Sequence, residues 1–333
     1  MPAFYTARSR VIGGSKKPRG SERGVLEERD PKPVRRRSRG RRIRREHLLF
    51  LAFIAPNFVI LGIFTYWPLL YQFYLSLTSW NFLSPEKPFV GLANYRQMFA
   101  QQGFLQVLGN TFYFMAAVVA GSLVLGLAVA LLLNQKLKGR NLVRSIVFTP
   151  YVLSGAAIGL VWDYIFDPHY GLIHAFLEPL GIPSPNWLNS TAYAMPALII
   201  VYLWKNLGFS ALVYLAALQN IPRDLYDAAA VDGAGKWASL RHVTIPQLAP
   251  ATFFVVVITM VQSFSYNAFD IIYVMTQGGP VNATTTLIWY IYQQGFQAFN
   301  IGIASAASTV LFIILVTLLL IQNRYVRRRT EEM

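Results

Sequence analysis

The chain has no cysteine among its 333 residues, which removes disulfides, thiolate nucleophiles and cysteine-based metal sites from consideration. Charge is also scarce. Only 14% of residues are Asp, Glu, Lys or Arg, against roughly a quarter in an ordinary soluble protein. There are 15 acids and four histidines, and no Ser/His/Asp or paired-carboxylate constellation recurs in the apolar segments, so enzyme chemistry finds no obvious seat. His169 and His174 lie in one loop with Asp167 and Glu178, but that spacing does not bring ligands together, and a solvated loop accounts for them.

What the chain does have is apolar length: 54% of residues are hydrophobic, gathered into runs near the roughly 20 residues needed to cross a bilayer core. Six spans are expected, at about His47–Leu77, Asn110–Leu133, Val143–Phe166, Ala192–Leu218, Ala249–Tyr273 and Ile301–Ile321. The first contains Pro56 and Pro68, so a kink is expected there. Between spans, "FVGLANYRQMF" predicts a short interfacial helix, and "MTQGGPVNATTTLIWYIYQQGF" predicts a Gly-Gly-Pro turn followed by a helix that the threonines cap.

The formal net charge is +15, yet 16 of the 30 Lys and Arg fall within the first 45 residues. The tail 1–46 is rich in Arg, Pro, Gly and Ser, which predicts disorder. It lacks interleaved aromatics and leads straight into a span, so contact with anionic lipid is expected and nucleic acid is not. A cleaved signal peptide is not expected, because the basic region is too long. Lys136, Lys138, Arg140 and Arg144 follow the second span, and Arg223, Lys236 and Arg241 follow the fourth. The basic segment 323–333 follows the sixth. The 167–191 and 274–300 connections have neither Lys nor Arg, and 78–109 has only Lys87 and Arg96. The positive-inside rule then places both termini and the loop 220–248 in the cytoplasm.

That loop reads "DAAAVDGAGKWASLRHVTIPQL" from Asp227 to Leu248. It is not a P-loop: Gly235-Lys236 would need Gly at 230 and Ser or Thr at 237, where the chain has Ala230 and Trp237. Pro222 and Asp224 open a helix that continues to Gly233, and a second short helix is expected before Pro246. A helix–turn–helix with an Ala-rich face suits insertion into a groove on a partner.

Two interior features bear on passage of a solute. Thr259, Ser263, Tyr266 and Asp270 recur at i, i+4, i+7 and i+11, which places them on one face of a single helix, flanked by Gln262 and Asn267. Such a stripe lines a cavity or binds neighbouring helices together. Lys205, next to Asn206 in the fourth span, is a membrane-embedded cation. It serves either an anionic solute or a carboxylate partner, Asp270 or Asp163.

The loop resembles the EAA loop of permeases of carbohydrate-type ABC importers. The pattern's positions fall on Asp227-Ala228-Ala229, Gly233, Val243 and Ile245-Pro246, with Asp, Val and Ile standing where the pattern has Glu, Ile and Leu. Asp232 and Ala234 flank its glycine. The stretches "FTPYVLSGAAIGLVWDYIF", "LQNIPRDLYDAAAVDGAG" and "FDIIYVMTQGGPVNATTTLIWYIY" carry the resemblance over nearly all of the chain from about residue 45. It implies an all-α integral membrane protein with six transmembrane helices over 47–322 and the type I importer permease fold. It also implies a bacterial inner-membrane location and a heterodimer with a second, homologous permease. A cytoplasmic ATPase dimer that alone binds ATP and Mg, and an extracytoplasmic substrate-binding protein, complete the implied complex. This chain would then hold no cofactor of its own. Within the family the resemblance is greatest to permeases for glycerol-3-phosphate and glycerophosphodiesters, with disaccharides such as maltose or trehalose as the alternative cargo. A secondary transporter or channel would instead need coupling carboxylates or an inverted repeat.

Overall fold

The computed structural model describes residues 39–135 and 138–331. Most of the basic tail, residues 1–38, lies outside the described residues. The part from Arg39 to Arg45 is helical, so the tail does not extend to residue 46 as a non-helical segment.

The described residues are almost entirely helical and contain no strand; Thr78 and Phe89 form one isolated antiparallel bridge. In order the helices are α1 (Arg39–Leu61), α2 (Trp67–Ser76), α3 (Ala93–Ala100), α4 (Phe104–Leu133), α5 (Arg140–Val152), α6 (Gly155–Ile165) and α7 (Leu172–Leu177). They continue with α8 (Ala194–Gln219), α9 (Arg223–Val231), α10 (Lys236–Ser239), α11 (Ile245–Gln247), α12 (Ala249–Ser263), α13 (Tyr266–Met275), α14 (Leu287–Tyr292) and α15 (Ile301–Glu331). The chain forms two units that divide after Val59, inside α1. On the N-terminal side, α1 carries Pro56 within its length. On the other side, a π-turn at Gly62–Tyr66 leads into α2, where Pro68 takes a first-turn position that needs no N–H donor.

Four helical segments are long and apolar enough to cross a membrane: Phe50–Ser76, Phe104–Leu133, Ala194–Gln219 and Ile301–Arg324. The count reaches six if two bent pairs each form one span: α5 with α6, bent by 103°, and Lys236–Gln247 with α12, bent by 64°. The expected third span is therefore broken at Leu153–Ser154. The expected fifth is also discontinuous, because α12 stops at Ser263 and α13 starts at Tyr266. The basic C-terminal segment from residue 323 is not a separate tail, since α15 runs on to Glu331.

Helices in lipid gain little from excluding water, so their contacts depend on close packing between small residues. α4 lies along α8, with Gly121 against Leu203 and Gly126 against Ser210. α6 meets α13 through Gly155 and Gly159, four apart on one face, against Asp270 and Val274. α15 packs on α2, where Gln72 donates to Thr309 at 3.2 Å and Phe73 meets Phe312 edge to face. The loop after α2 is tied by Asn94, whose amide donates to the carbonyls of Ser76 and Thr78 at 2.8 and 2.9 Å and is only 7% exposed. Asn94→Ala strands both carbonyls in a dry site and is expected to cost about 1–3 kcal/mol, read as a lower unfolding midpoint by tryptophan fluorescence.

The expected threonine cap differs in detail. Thr286 stands at the N-cap of α14 but makes no capping bond, and its hydroxyl is buried without a partner. Thr284 and Thr285 instead donate back to the carbonyls of Gly279 and Gly278, at 2.7 and 3.0 Å. The amide of Leu287 is satisfied from across the fold by Thr111 Oγ1 of α4, at 2.8 Å.

Candidate functional site

The loop 220–248 folds as its residues direct. Pro222 stands at the N-cap of α9, and Asp224 lies in its first turn, at the positive end of the helix dipole. Gly233 adopts φ +78. Its N–H bonds the Ala230 carbonyl at 3.1 Å, and the Ala234 N–H bonds the Ala229 carbonyl at 2.8 Å. Those paired bonds form a Schellman closure of α9, which needs a left-handed residue at this position. α10 then runs through a π-turn at Leu240–Thr244 into α11, so the second helical stretch passes through Pro246 and does not end before it.

One side-chain bond joins the two arms: the hydroxyls of Tyr226 and Thr244 lie 3.1 Å apart, with Thr244 buried. Neither residue stands out in the sequence, since nothing in a single chain pairs positions 18 apart across a turn. Tyr226→Phe removes only that hydroxyl. About 1 kcal/mol of local stability should go with it, seen as roughly fivefold faster amide exchange over 240–247 with the helical core unchanged. Outward, the loop presents Asp227, Ala228, Asp232, Gly233 and Pro246 as exposed residues and Ala229 and Ala234 as half-buried ones. Val231 and Trp237 project furthest, 88% and 74% exposed.

The interior residues come together differently from the expected stripe. Thr259 and Ser263 are buried on α12. The chain then breaks at Phe264 and Ser265, and the Ser265 side chain accepts from the Asn267 amide at 3.4 Å as it starts α13. Thr259, Ser263, Tyr266 and Asp270 therefore do not share one face of a single helix. Tyr266 stands 72% exposed just past the break, with Gln262 and Asn267 half-buried on either side of it. The missed signal was "SFSYN": a serine two residues before an asparagine is a local capping pattern, and it outweighed the apolar periodicity.

Lys205 is 3% exposed on α8. Its Nζ donates to the Tyr151 carbonyl at 3.5 Å and lies 5.8 Å from the centre of the Tyr151 ring. Of the two candidate acids, Asp270 lies against Gly155 at the start of α6, beyond the break that follows the last turn of α5. Asn206 donates to the Tyr202 carbonyl at 2.8 Å, while its Oδ1 and the Tyr202 hydroxyl are buried without partners. In the loop after α6, Asp167 Oδ1 accepts the amides of His169 and Tyr170, both at 2.8 Å. Those two bonds hold its carboxyl below the usual carboxylate range.

A set of apolar crossing helices, interrupted where polar residues collect and carrying one exposed helix–turn–helix of small residues, is the build of a membrane permease. Residues 122–332 match the family described as the binding-protein-dependent transport system inner membrane component, and the chain belongs to that family. It is a multi-pass inner-membrane protein and a non-catalytic permease subunit of the ABC type. It is 35% identical to the probable ABC transporter permease YurN of Bacillus subtilis over 284 residues, covering 84% of this chain and 96% of that one. It is 34% identical to the sn-glycerol-3-phosphate transport system permease UgpA of Salmonella typhimurium over 294 residues, 88% of this chain and 99% of that one. Among solved structures it is similar to a chain of a bacterial ABC transporter involved in importing alginate. That match has TM-score 0.75 and 26% identity, and covers 87% of this chain and 98% of the other. The fold is thus that of type I ABC importer permeases.

Proposed function

We propose that this chain forms half of the translocation pathway of an ATP-driven importer for glycerol-3-phosphate or glycerophosphodiesters, paired with a second, homologous permease. The loop 220–248 docks on a cytoplasmic ATPase dimer, which binds ATP and Mg; this chain holds neither. The observation that carries the coupling role is the loop's exposed and internally closed form. Gly233 and the Tyr226–Thr244 bond close the turn within the loop, while Trp237 projects as an aromatic anchor of the kind that dominates protein interfaces, with Val231 adding exposed apolar surface. The Lys and Arg distribution supports a cytoplasmic position for it.

The solute path on this reading passes the break between α12 and α13. In lipid, non-helical backbone is tolerated only where it is covered by protein or lines a watery cavity, and Gln262, Tyr266 and Asn267 sit around that break. The UgpA relatives support a phosphorylated glycerol as cargo, and the alginate-transporter likeness supports a saccharide. An external binding protein delivers the solute; the periplasmic protein in a related alginate-transporter complex supports that partner.

The test is ATP hydrolysis by the complex co-purified with this chain and reconstituted with its binding protein. Stimulation by glycerol-3-phosphate or glycerophosphocholine is the expected result. Stimulation by maltose or trehalose instead would keep the importer and replace the cargo. A folded preparation that carries no ATPase and hydrolyses no ATP would overturn the reading.

A further inference from the structure

The sharp bend between α5 and α6 leaves two helix ends close together, with only the exposed Leu153 and Ser154 between them and Gly155 buried just beyond. The last carbonyls of α5 and the first N–H groups of α6 have no partners within their helices. The α5 end is electrically negative and the α6 end positive. Ser154 occupies the N-cap position of α6 without making a side-chain bond. The Leu153 amide reaches only as far as the Pro150 carbonyl, at 3.3 Å.

Charges from two other helices meet these ends with the matching sign. Lys205, from α8, brings its ammonium to the Tyr151 carbonyl in the last turn of α5. Asp270, from α13, lies against Gly155, the first residue of α6. A Cβ at Gly155 would stand 2.8 Å from the Asp270 Cβ and 3.2 Å from its Oδ2. The cation therefore sits at the negative end and the carboxylate at the positive end. Gly155 has no side chain that would keep the carboxylate away from the helix start.

We infer that Lys205 and Asp270 are positioning residues that hold the two halves of the broken helix at their angle, each by compensating one exposed helix end, and that neither contacts the transported solute. The bend between α5 and α6 is then fixed electrostatically from the two neighbouring helices, and the surface that α6 offers to the pathway depends on both charges.

Because the chain has no cysteine, two introduced thiols are the only ones in it. Val143 on α5 and Val161 on α6, both exposed, are replaced by Cys, spin-labelled, and measured by pulsed electron paramagnetic resonance in the purified complex. The parent should give one narrow distance distribution. Lys205→Met and Asp270→Asn should each at least double its width, and Lys205→Arg should leave it narrow. Gly155→Ala keeps both charges but displaces the carboxylate, and should reproduce Asp270→Asn; it decides the matter if the charge-removing variants do not assemble. A narrow distribution in Gly155→Ala, or in Lys205→Met and Asp270→Asn, overturns the inference. A tenfold rise in the glycerol-3-phosphate concentration for half-maximal ATPase stimulation in Lys205→Met, with the distance unchanged, assigns Lys205 to the solute instead. The distance measurement needs no solute, so an error in the proposed cargo leaves this test intact.

Discussion

Gly233→Val is expected to cut solute-stimulated ATP hydrolysis by more than tenfold, about 30-fold, while the helical core still folds. The residue sits at φ +78, where a side chain costs roughly 1–2 kcal/mol, and more when branched at Cβ. The two Schellman bonds, from Gly233 to Ala230 and from Ala234 to Ala229, depend on that backbone conformation. Without them α9 frays at its C-terminal end, and Val231 and Asp232 leave the positions they hold for docking. A loss of about 2 kcal/mol corresponds to roughly 30-fold fewer loops in the docking shape. Stimulated hydrolysis and uptake in proteoliposomes should fall by a similar factor. Space is not the cause, because nothing lies within 4 Å of a Cβ at this site. Gly235→Ala provides the contrast. That glycine has equally open surroundings but an extended backbone, φ −69, and its replacement should lower stimulation no more than about fivefold, since Ala is the poorer N-cap by about 1 kcal/mol. Equal activity in Gly233→Val and Gly235→Ala would show that the left-handed turn is not what couples the loop.

The helical class, the apolar spans and the loop 220–248 were legible because each is written in local chemistry: run length, hydrophobic content, and the Pro222–Asp224 start with the Gly233 stop. Breaks within spans were not read, although their residues were visible. "TPYVLSGAA" holds a proline, then a serine before a glycine, a stop followed by a start, yet the surrounding apolar residues read as one continuous span through Phe166. "SFSYN" hid the second break in the same way. Hydropathy reports where a segment is buried but is insensitive to whether the backbone continues through it, and a break next to protein costs far less than one facing lipid. The stripe of Thr259, Ser263, Tyr266 and Asp270 failed for that reason: helical periodicity predicts a shared face only while the helix is unbroken. Lys205 was visible as an outlier and Asp270 as one of its two candidate carboxylates, but the backbone group it meets was not. The Tyr151 carbonyl it meets is a backbone group at a helix end that the sequence does not announce, and Asp270 comes from a helix 65 positions further along. Long-range ties such as Thr111 to Leu287 and Tyr226 to Thr244 are equally silent in a single chain.

Gly208→Ala should be among the most damaging single-methyl changes in the membrane region. α8 crosses α5 with Gly208 directly over the backbone of Val147 and Phe148. An added Cβ would overlap the Val147 carbonyl oxygen and stand 2.7 Å from the Phe148 Cα. Both obstacles are main chain, so no rotamer change relieves them and the two helices must move apart. Overpacking of this kind costs typically ~1–3 kcal/mol, and a clash against backbone belongs at the upper end. Lys205 lies one turn before Gly208 on the same face of α8, so a shift that separates the helices also draws the ammonium away from the Tyr151 carbonyl. The unfolding midpoint of the purified complex, followed by tryptophan fluorescence, should drop by about 5–10 °C, and the Val143–Val161 distance distribution should widen with it. Gly109→Ala is the matched control: it is also helical, it meets nothing within 4 Å, and it should be neutral or add up to about 1 kcal/mol through better helix propensity. If both variants unfold at the parent's midpoint, α8 and α5 do not pack at Gly208. If Gly208→Ala alone loses stability but keeps the narrow distance, the contact is real and the bend is held by something other than Lys205.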